Sequence, residues 1–539
     1  MAHMGLRSCR KSAAQRRPRR RSIPRIESIY RENATMCKTP RSSGPPPARP
    51  DAQGAMPEGD DLAALLEKEF RSKTEGTKKA LRSEVRTLAQ QVLLQDQVVP
   101  DDVVRTIQTL VAGIDGKLAG QLNLILHHPE FQQLEGSWRG LHYLVNNTDT
   151  SEMLKIRTLN IAKSELGETL ERFRDDAWEQ SPLFRTVCQE PFAHVGGEPF
   201  GALIGDFYFD HGPPDLELLG GMASLAAAAQ APFIAGASPK LMQMDSWQEL
   251  ARRRDLTGIF NAPEYAGWRS LRESAAACYV GLAMPRFLAR MPYGARTAPV
   301  DQFEFEEDTG SAEHGKYVWA NAAYAMAVNI NRSFNLYGWC ARIRGVESGG
   351  ALEGLPAHSF PGDDGSVETQ CPTEIAISDR CEAELAKNGF MPLIHRKHAD
   401  FAAFIGAQSL QKPAEYDDSN ATANAALAAR LPYCFACSRF AHYLRCIARD
   451  RLGTFKGHAD MERWLNNWIM NYVDGDPLHS SEFTRAQKPL AAARVRIEPV
   501  EGSPGYYTSQ FFLRPYYQLD GLTVSLCIVS TLPSGKFAA

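Results

Sequence analysis

Within this chain the periodicity of apolar side chains changes from about 3.6 residues to 2, a change that restricts the fold more than composition does. After Pro100, the residues Val103, Ile107, Leu110, Val111, Ile114, Leu118, Leu122 and Ile125 recur at helical spacing. They share one face of a helix. Towards the other end, Arg494-Val495-Arg496-Ile497-Glu498 alternates polar and apolar, as do Tyr506 to Arg514 and then Val524, Leu526 and Ile528 with Thr523, Ser525 and Cys527. Gly502, Gly505 and Gly521 punctuate these runs, which read as three consecutive strands. Between the two ends, from Phe192 to about Pro392, apolar runs such as Ala202 to Tyr208 alternate with Gly, Pro and helical stretches such as Trp319 to Asn331. The expected fold is therefore α+β (mixed α/β), with N-terminal helices and C-terminal strands.

The start differs in kind. Residues 1 to 50 carry 13 Lys and Arg against 2 acidic residues, so the chain's formal charge of -3 conceals an acidic body. From Met1 to Gly59, Arg clusters pass into Ser42-Ser43-Gly44-Pro45-Pro46-Pro47, too little apolar surface to offset the entropy of ordering. That stretch is expected to be a disordered basic extension. Order is expected from Asp60 and Asp61, N-cap residues for an amphipathic helix with Leu62, Leu65, Leu66 and Phe70 on one stripe. Such a helix can dock on its own core or serve as a handle for a partner's groove. Leu81, Val85, Leu88 and Val92 make a second helix. The expected divisions are 1–59, a helical region 60–126, a central α/β region 127–392, and a C-terminal region 393–539 with a helix and the terminal strands.

Composition excludes several function classes. With 44% hydrophobic and 23% charged residues in 539, the chain can build sizeable cores. An acidic body is a poor match to a phosphate backbone, so nucleic acid is not expected as a main partner. The most apolar stretch, Leu218 to Ala237, is interrupted by Gly220, Gly221, Gln230 and Pro232, and no run of about 20 apolar residues suits a membrane. Eleven cysteines without a secretory signal read as reduced thiols, hence a cytoplasmic protein.

The reactive residue types form no persuasive catalytic set. Cys434, Cys437, His442 and Cys446 have nearly a zinc spacing, but the run from Leu431 to Leu452 reads as one helix. On it His442 lies well away from Cys434, so core cysteines are expected rather than a metal. His127-His128 and His395 to His398 lack a glutamate between ligands and read as surface or interface residues. Gly349-Gly350-Ala351-Leu352-Glu353-Gly354 lacks the Lys and Ser or Thr of a nucleotide loop, and no G-x-S-x-G elbow is present. Arg269, Arg272 and Glu273, in Trp268 to Ser274, are expected to form a structural ion-pair network. Neither a cofactor nor catalysis is expected.

Several long segments, in order, resemble the large sheath subunit of type VI secretion, the TssC or VipB family. They are Leu124 to Asn147 (LILHHPEFQQLEGSWRGLHYLVNN), Gly196 to Asp210 (GGEPFGALIGDFYFD), Trp268 to Ser274, Met284 to Gly294 (MPRFLARMPYG), Gly345 to Pro356 and Gln408 to Tyr416. The likeness runs from about Asp61 to Pro533. It implies a contractile-sheath protomer in the bacterial cytoplasm that joins copies of itself and the small sheath subunit (TssB/VipA) around an inner tube of Hcp rings. The sheath stands on a baseplate and contracts to propel that tube. The resemblance further implies that Leu62, Leu65, Leu66 and Phe70 are the handle gripped by the unfoldase ClpV. The terminal strand, with Leu522, Val524, Leu526 and Ile528, is similar to one that enters intersubunit sheets. Three features depart from the family: the basic start, Ala275-Ala276-Ala277-Cys278 in place of a more charged stretch, and Cys381 where Arg is common.

Three other readings compete. The sheath of a related phage-tail-like particle would share the architecture without ClpV recycling. A hydrolase would need residues such as Asp206 or His314. Nucleic-acid binding through the Arg-rich start would depend strongly on salt.

Overall fold

The computed structural model describes residues 103–173, 175–193, 196–252, 255–301, 303–309, 314–361, 367–395, 401–450, 457–476, 479–499, 507–515 and 526–531. The expected apolar stripe after Pro100 becomes helix α1 (Val103–Leu126). Pro129 then starts helix α2 (Pro129–Asn146), where a proline costs no hydrogen bond because the first N–H groups of a helix have no partner within it. Two glycines seat α2 on the body. A Cβ at Gly136 would lie 2.5 Å from the carbonyl oxygen of Trp319, and one at Gly140 would enter the Tyr324 ring.

A six-stranded sheet carries the central region. Its strands are β1 (Leu203–Phe209), β2 (Phe233–Ala237), β3 (Val280–Met284), β4 (Ala351–Glu353), β5 (Phe390–His395) and β6 (Phe401–Phe404), in the spatial order β1-β2-β3-β5-β6-β4. The first four of that order run parallel, and β6 pairs antiparallel with both β5 and β4. Helix α3 (Pro213–Ala229) makes the crossover from β1 to β2. The apolar stretch that the sequence shows interrupted is thus a helix, a turn and a strand. Gln230 closes the helix with a left-handed φ of 53°, and Pro232 precedes β2.

Because neighbouring strand residues face opposite ways, the sheet separates two cores. Phe233, Ala235, Leu282, Met284, Phe390 and Ile394 pack with α3 and with Trp268 of helix α4 (Ala266–Glu273). Ile234, Ala283, Met391 and Leu393 face helix α5 (Ala322–Tyr337) and, beyond it, α2. The helical pattern from Trp319 begins slightly late: Trp319–Ala320 pairs with Phe287–Leu288 as a short ribbon. Asn321 then caps α5 by accepting from the Ala323 N–H at 2.9 Å.

The third core is C-terminal. Helices α6 (Leu431–Asp450) and α7 (His458–Ile469) cover an antiparallel sheet of β7 (Leu490–Pro499), β8 (Tyr507–Pro515) and β9 (Leu526–Thr531). The three alternating runs of the sequence are these strands. The molecule is mixed helix and sheet, as the change of periodicity requires.

Candidate functional site

The two edges of the C-terminal sheet are unlike. On β7, Val495 and Ile497 are buried against α7, and their backbone is met by side chains of that helix. Asn466 Nδ2 donates to Val495 O at 2.7 Å, Val495 N donates to Asn466 Oδ1 at 2.9 Å, and Ile497 N donates to Glu462 Oε2 at 2.9 Å. This edge is sealed, as a solitary edge must be to avoid pairing. Strand β9 forms the opposite edge, with Leu526 opposite Leu513 and Ile528 opposite Phe511. Of the four terminal-strand positions expected from sequence, Leu526 and Ile528 therefore lie in β9, paired on one side with β8. Leu522 and Val524 lie outside the described residues, as do the handle positions Leu62, Leu65, Leu66 and Phe70.

Two buried ionic clamps were not singled out in the sequence, although both use residues of the family-like segments. Arg290 donates through Nε to Glu135 Oε1 at 2.6 Å, and through its terminal nitrogens to Glu307 at 2.5 and 3.1 Å. Arg139 adds a 2.6 Å bond to Glu135, and His127 Nε2 lies 3.5 Å from Glu307. Burial alone would raise the Glu135 carboxyl, but hydrogen bonds and charge from Arg290, and then Arg139, outweigh it and hold it below the ordinary carboxylate range. This cluster fastens α2 to the segment after β3. The second clamp joins Arg286 to Glu374 at 2.8 and 2.6 Å. Such residues are visible in the sequence only as scattered charges; Arg286 and Glu374 are 88 positions apart and Arg290 and Glu135 are 155 apart.

The residues weighed for chemistry are occupied structurally. Arg269 donates to the carbonyls of Phe260 and Ala262, both at 2.7 Å, and Arg272 to those of Leu410 at 3.0 Å and Lys387 at 3.3 Å. The expected ion-pair network is thus corrected: backbone carbonyls take the guanidinium donors, while Glu273 is exposed. Desolvation lowers Arg272 to about 10. Trp268 is a core residue stacked on Phe390.

On α6, Cys434, Cys437 and His442 are buried. Burial pushes the Cys437 thiol up to about 12 and raises Cys434 and Cys446 as well. Cys434 and Cys437 are core thiols whose burial disfavours the thiolate. The His442 ring meets the Ala229 carbonyl through Nε2 at 2.8 Å. His127 turns inward to Glu307 rather than to the surface, whereas His128 is exposed.

The glycine run also has a packing reason. A Cβ at Gly350 would lie 2.5 Å from Phe404 O, and Arg332 donates to the carbonyls of Gly349 and Ala351 at 2.8 and 2.5 Å. Of the two residues named for a hydrolase, Asp206 hydrogen-bonds Tyr324. His314 packs on Trp319 with ring centres 4.6 Å apart. Among the described residues, no group of His, Cys, Asp and Glu is arranged to hold a metal, and no helix is long and apolar enough to cross a membrane.

These polar groups join one element of the body to another, and the class of the protein, a tail-sheath protein, is shown by the family models it matches. Residues 108–411 match the family model described as EvpB/VC_A0108, tail sheath N-terminal domain, and residues 420–532 match that of the EvpB/VC_A0108, tail sheath gpW/gp25-like domain. Over 478 residues the chain is 65% identical to the type VI secretion system sheath protein TssC1 of Pseudomonas aeruginosa strain PAO1, covering 89% of this chain and 96% of that relative. The chain belongs to this VipB family of type VI secretion sheath proteins. Among solved structures, the baseplate of the anti-feeding prophage aligns with a TM-score of 0.30 at 10% identity, over 75% of this chain and 85% of that one. A sheath tail protein from Desulfitobacterium hafniense aligns with 0.27 at 8% identity, over 59% and 60%.

Proposed function

We propose that this sheath protein works without catalysis in the cytoplasm, co-assembling with a small sheath subunit of the TssB kind around an Hcp inner tube on a baseplate. The observation that carries the reading is the unequal pair of edges of the C-terminal sheet. Asn466 and Glu462 occupy the β7 edge, while among the described residues β9 ends the sheet on the other side and can accept a strand from a neighbouring chain. Repeated, such a head-to-tail contact does not close on itself and generates a helical filament. Phe131, Leu134, Trp138 and Val145, exposed along the outward face of α2, support further burial against neighbours.

Contraction then needs two packings of the same subunits, with the extended one metastable, so that the work is stored in interfaces. After contraction, the segment with Leu62, Leu65, Leu66 and Phe70 serves as the handle for a ClpV unfoldase. Co-expression with the small-subunit candidate, followed by negative-stain microscopy, tests the assembly. The full-length pair is expected to form cogwheel-like tubes, and a chain truncated after Gly521 none; monodisperse full-length protein that does not pair would overturn the reading. Deleting 62–70 is expected to leave the tubes intact and to abolish unfoldase binding.

A further inference from the structure

The C-terminal sheet buries one side only. Val495, Ile497, Phe511 and Leu513 enter the third core. Neighbours along a strand face opposite ways, so Arg494 and Arg496 of β7 share the other side with Phe512 and Arg514 of β8. In register, Ala492 stands opposite Arg514, Arg494 opposite Phe512 and Arg496 opposite Gln510. Arg494 and Arg496 are exposed, and Phe512 keeps 37% of its surface exposed. Among the described residues of the three strands, Glu498, bonded to Arg496 at 2.9 Å, is the one acid. An exposed aromatic among arginines has the composition of an interface rather than of a solvated face. The inverse pattern occurs on the turn before the helix Ser419–Ala428. Tyr416 is 57% exposed there, between exposed Glu415 and Asp417. The backbone of this turn is fixed: Thr422 Oγ1 accepts from the Tyr416 N–H at 2.9 Å and donates to Tyr416 O at 3.0 Å, and Asp418 caps the helix by accepting from the Asn420 N–H at 3.0 Å. The phenol is thus presented with little left to order on binding.

We propose that the face formed by Arg494, Arg496 and Phe512 receives the Glu415-Tyr416-Asp417 turn of a second copy of this chain. The contact deepens the sheath reading and rests on it. Charge complementarity selects the occupant. Residues 1–50 hold 13 basic and 2 acidic residues, so the rest of the chain carries a formal charge of -14, and an approaching copy presents mainly acid to a basic face. This turn sets a carboxylate on each side of an aromatic ring, matching arginines set beside Phe512. The guanidinium–carboxylate pairs steer the encounter and fix its register, while the two rings supply the desolvated centre. Because the two surfaces on one chain differ, the contact is head to tail and propagates instead of closing.

The test is a charge swap in the full-length chain, co-expressed with the small-subunit candidate and scored by the number of tubes in negative stain. Arg494→Glu with Arg496→Glu is expected to reduce the tubes at least tenfold, and Glu415→Arg with Asp417→Arg to do the same. All four substitutions together are expected to restore them. The four positions are exposed, so each variant is expected to melt as the wild type does. A second measurement needs no loss of assembly: in tubes mixed from heavy- and light-isotope chains carrying Arg494→Lys, a carbodiimide is expected to join position 494 of one chain to Glu415 or Asp417 of another. Undiminished tubes from either double variant would overturn the proposal. So would a fourfold variant that melts normally yet stays without tubes, since a different occupant, such as the small subunit, then holds the face; so would tubes in which position 494 forms no such cross-link. A wild type without tubes would overturn the sheath reading itself, and this contact with it.

Discussion

Protonating His442 would place a charge in the core between α6 and the end of α3, and desolvation accordingly lowers the ring to about 4 from its ordinary 6.5. Its Nε2 is committed to Ala229 O and its buried Nδ1 has no acceptor to face, so the neutral form is the one that fits. For a base with a depressed folded value, the unfolded chain binds the proton first. Stability is therefore lost as pH falls below the unfolded value, over the window from 6.5 to about 4. The full effect is about 3 kcal/mol. His442→Gln keeps a donor for Ala229 and is expected to flatten that part of the curve, read as the difference in urea midpoint between the two proteins at each pH.

The carboxyl of Glu135, also depressed, acts in the same direction over a lower window. Its contribution is present above the ordinary 4.5 and is lost as pH falls through the lowered folded value. Arg290→Ala removes the guanidinium from the buried Glu307 and leaves Glu135 with Arg139 alone, and is expected to cost about 3–5 kcal/mol. Arg290→Met combined with Glu135→Gln and Glu307→Gln is expected to recover most of that in chemical denaturation.

At the scale of elements, the sealing of β7 is carried by few atoms. Asn466 both donates to and accepts from Val495, replacing the neighbouring strand that the β7 edge lacks. Asn466→Ala strips both bonds from a buried residue and is expected to destabilise by about 1–3 kcal/mol. Amide exchange is expected to accelerate at Val495, whereas Ile497, held by Glu462, is affected less. Equal acceleration of all three strands would show that α7 supports the sheet by packing alone. Helix α2 depends on the absence of side chains instead: Gly140→Ala drives a methyl into Tyr324 and is expected to cost about 1–3 kcal/mol by overpacking, seen as a lowered unfolding midpoint.

Across the whole molecule, Trp339 links the cores. Gly338 ends α5 with a φ of 78°, the next carbonyl accepts from Ser333 Oγ at 2.8 Å, and the Trp339 ring stacks on Phe440 of α6 with centres 4.3 Å apart. Trp339→Ala leaves a cavity in the third core and is expected to cost about 3–5 kcal/mol. The wild type is expected to unfold in one transition and Trp339→Ala in two, measured by near- and far-ultraviolet circular dichroism on one sample; one transition in both would show that this ring does not couple the domains.

Local periodicity by itself determined helix α1, the long helix from Leu431 and the three terminal strands, because a helix or strand announces an apolar face through spacing a few residues long; on α1 that face, with Val111, Ile114, Leu118 and Ile125, is exposed. It also placed Cys434, Cys437 and His442 correctly as core residues, since one helix cannot turn them to a common point. The resemblance of long ordered segments brought in the family. Tertiary structure alone decided that Arg290 joins Glu135 to Glu307, that Arg269 and Arg272 serve carbonyls rather than Glu273, and that Asn466 closes the β7 edge. Each of these depends on partners brought together by the packing of distant elements, and a pattern that repeats over a few residues carries no record of which distant groups will share a buried space.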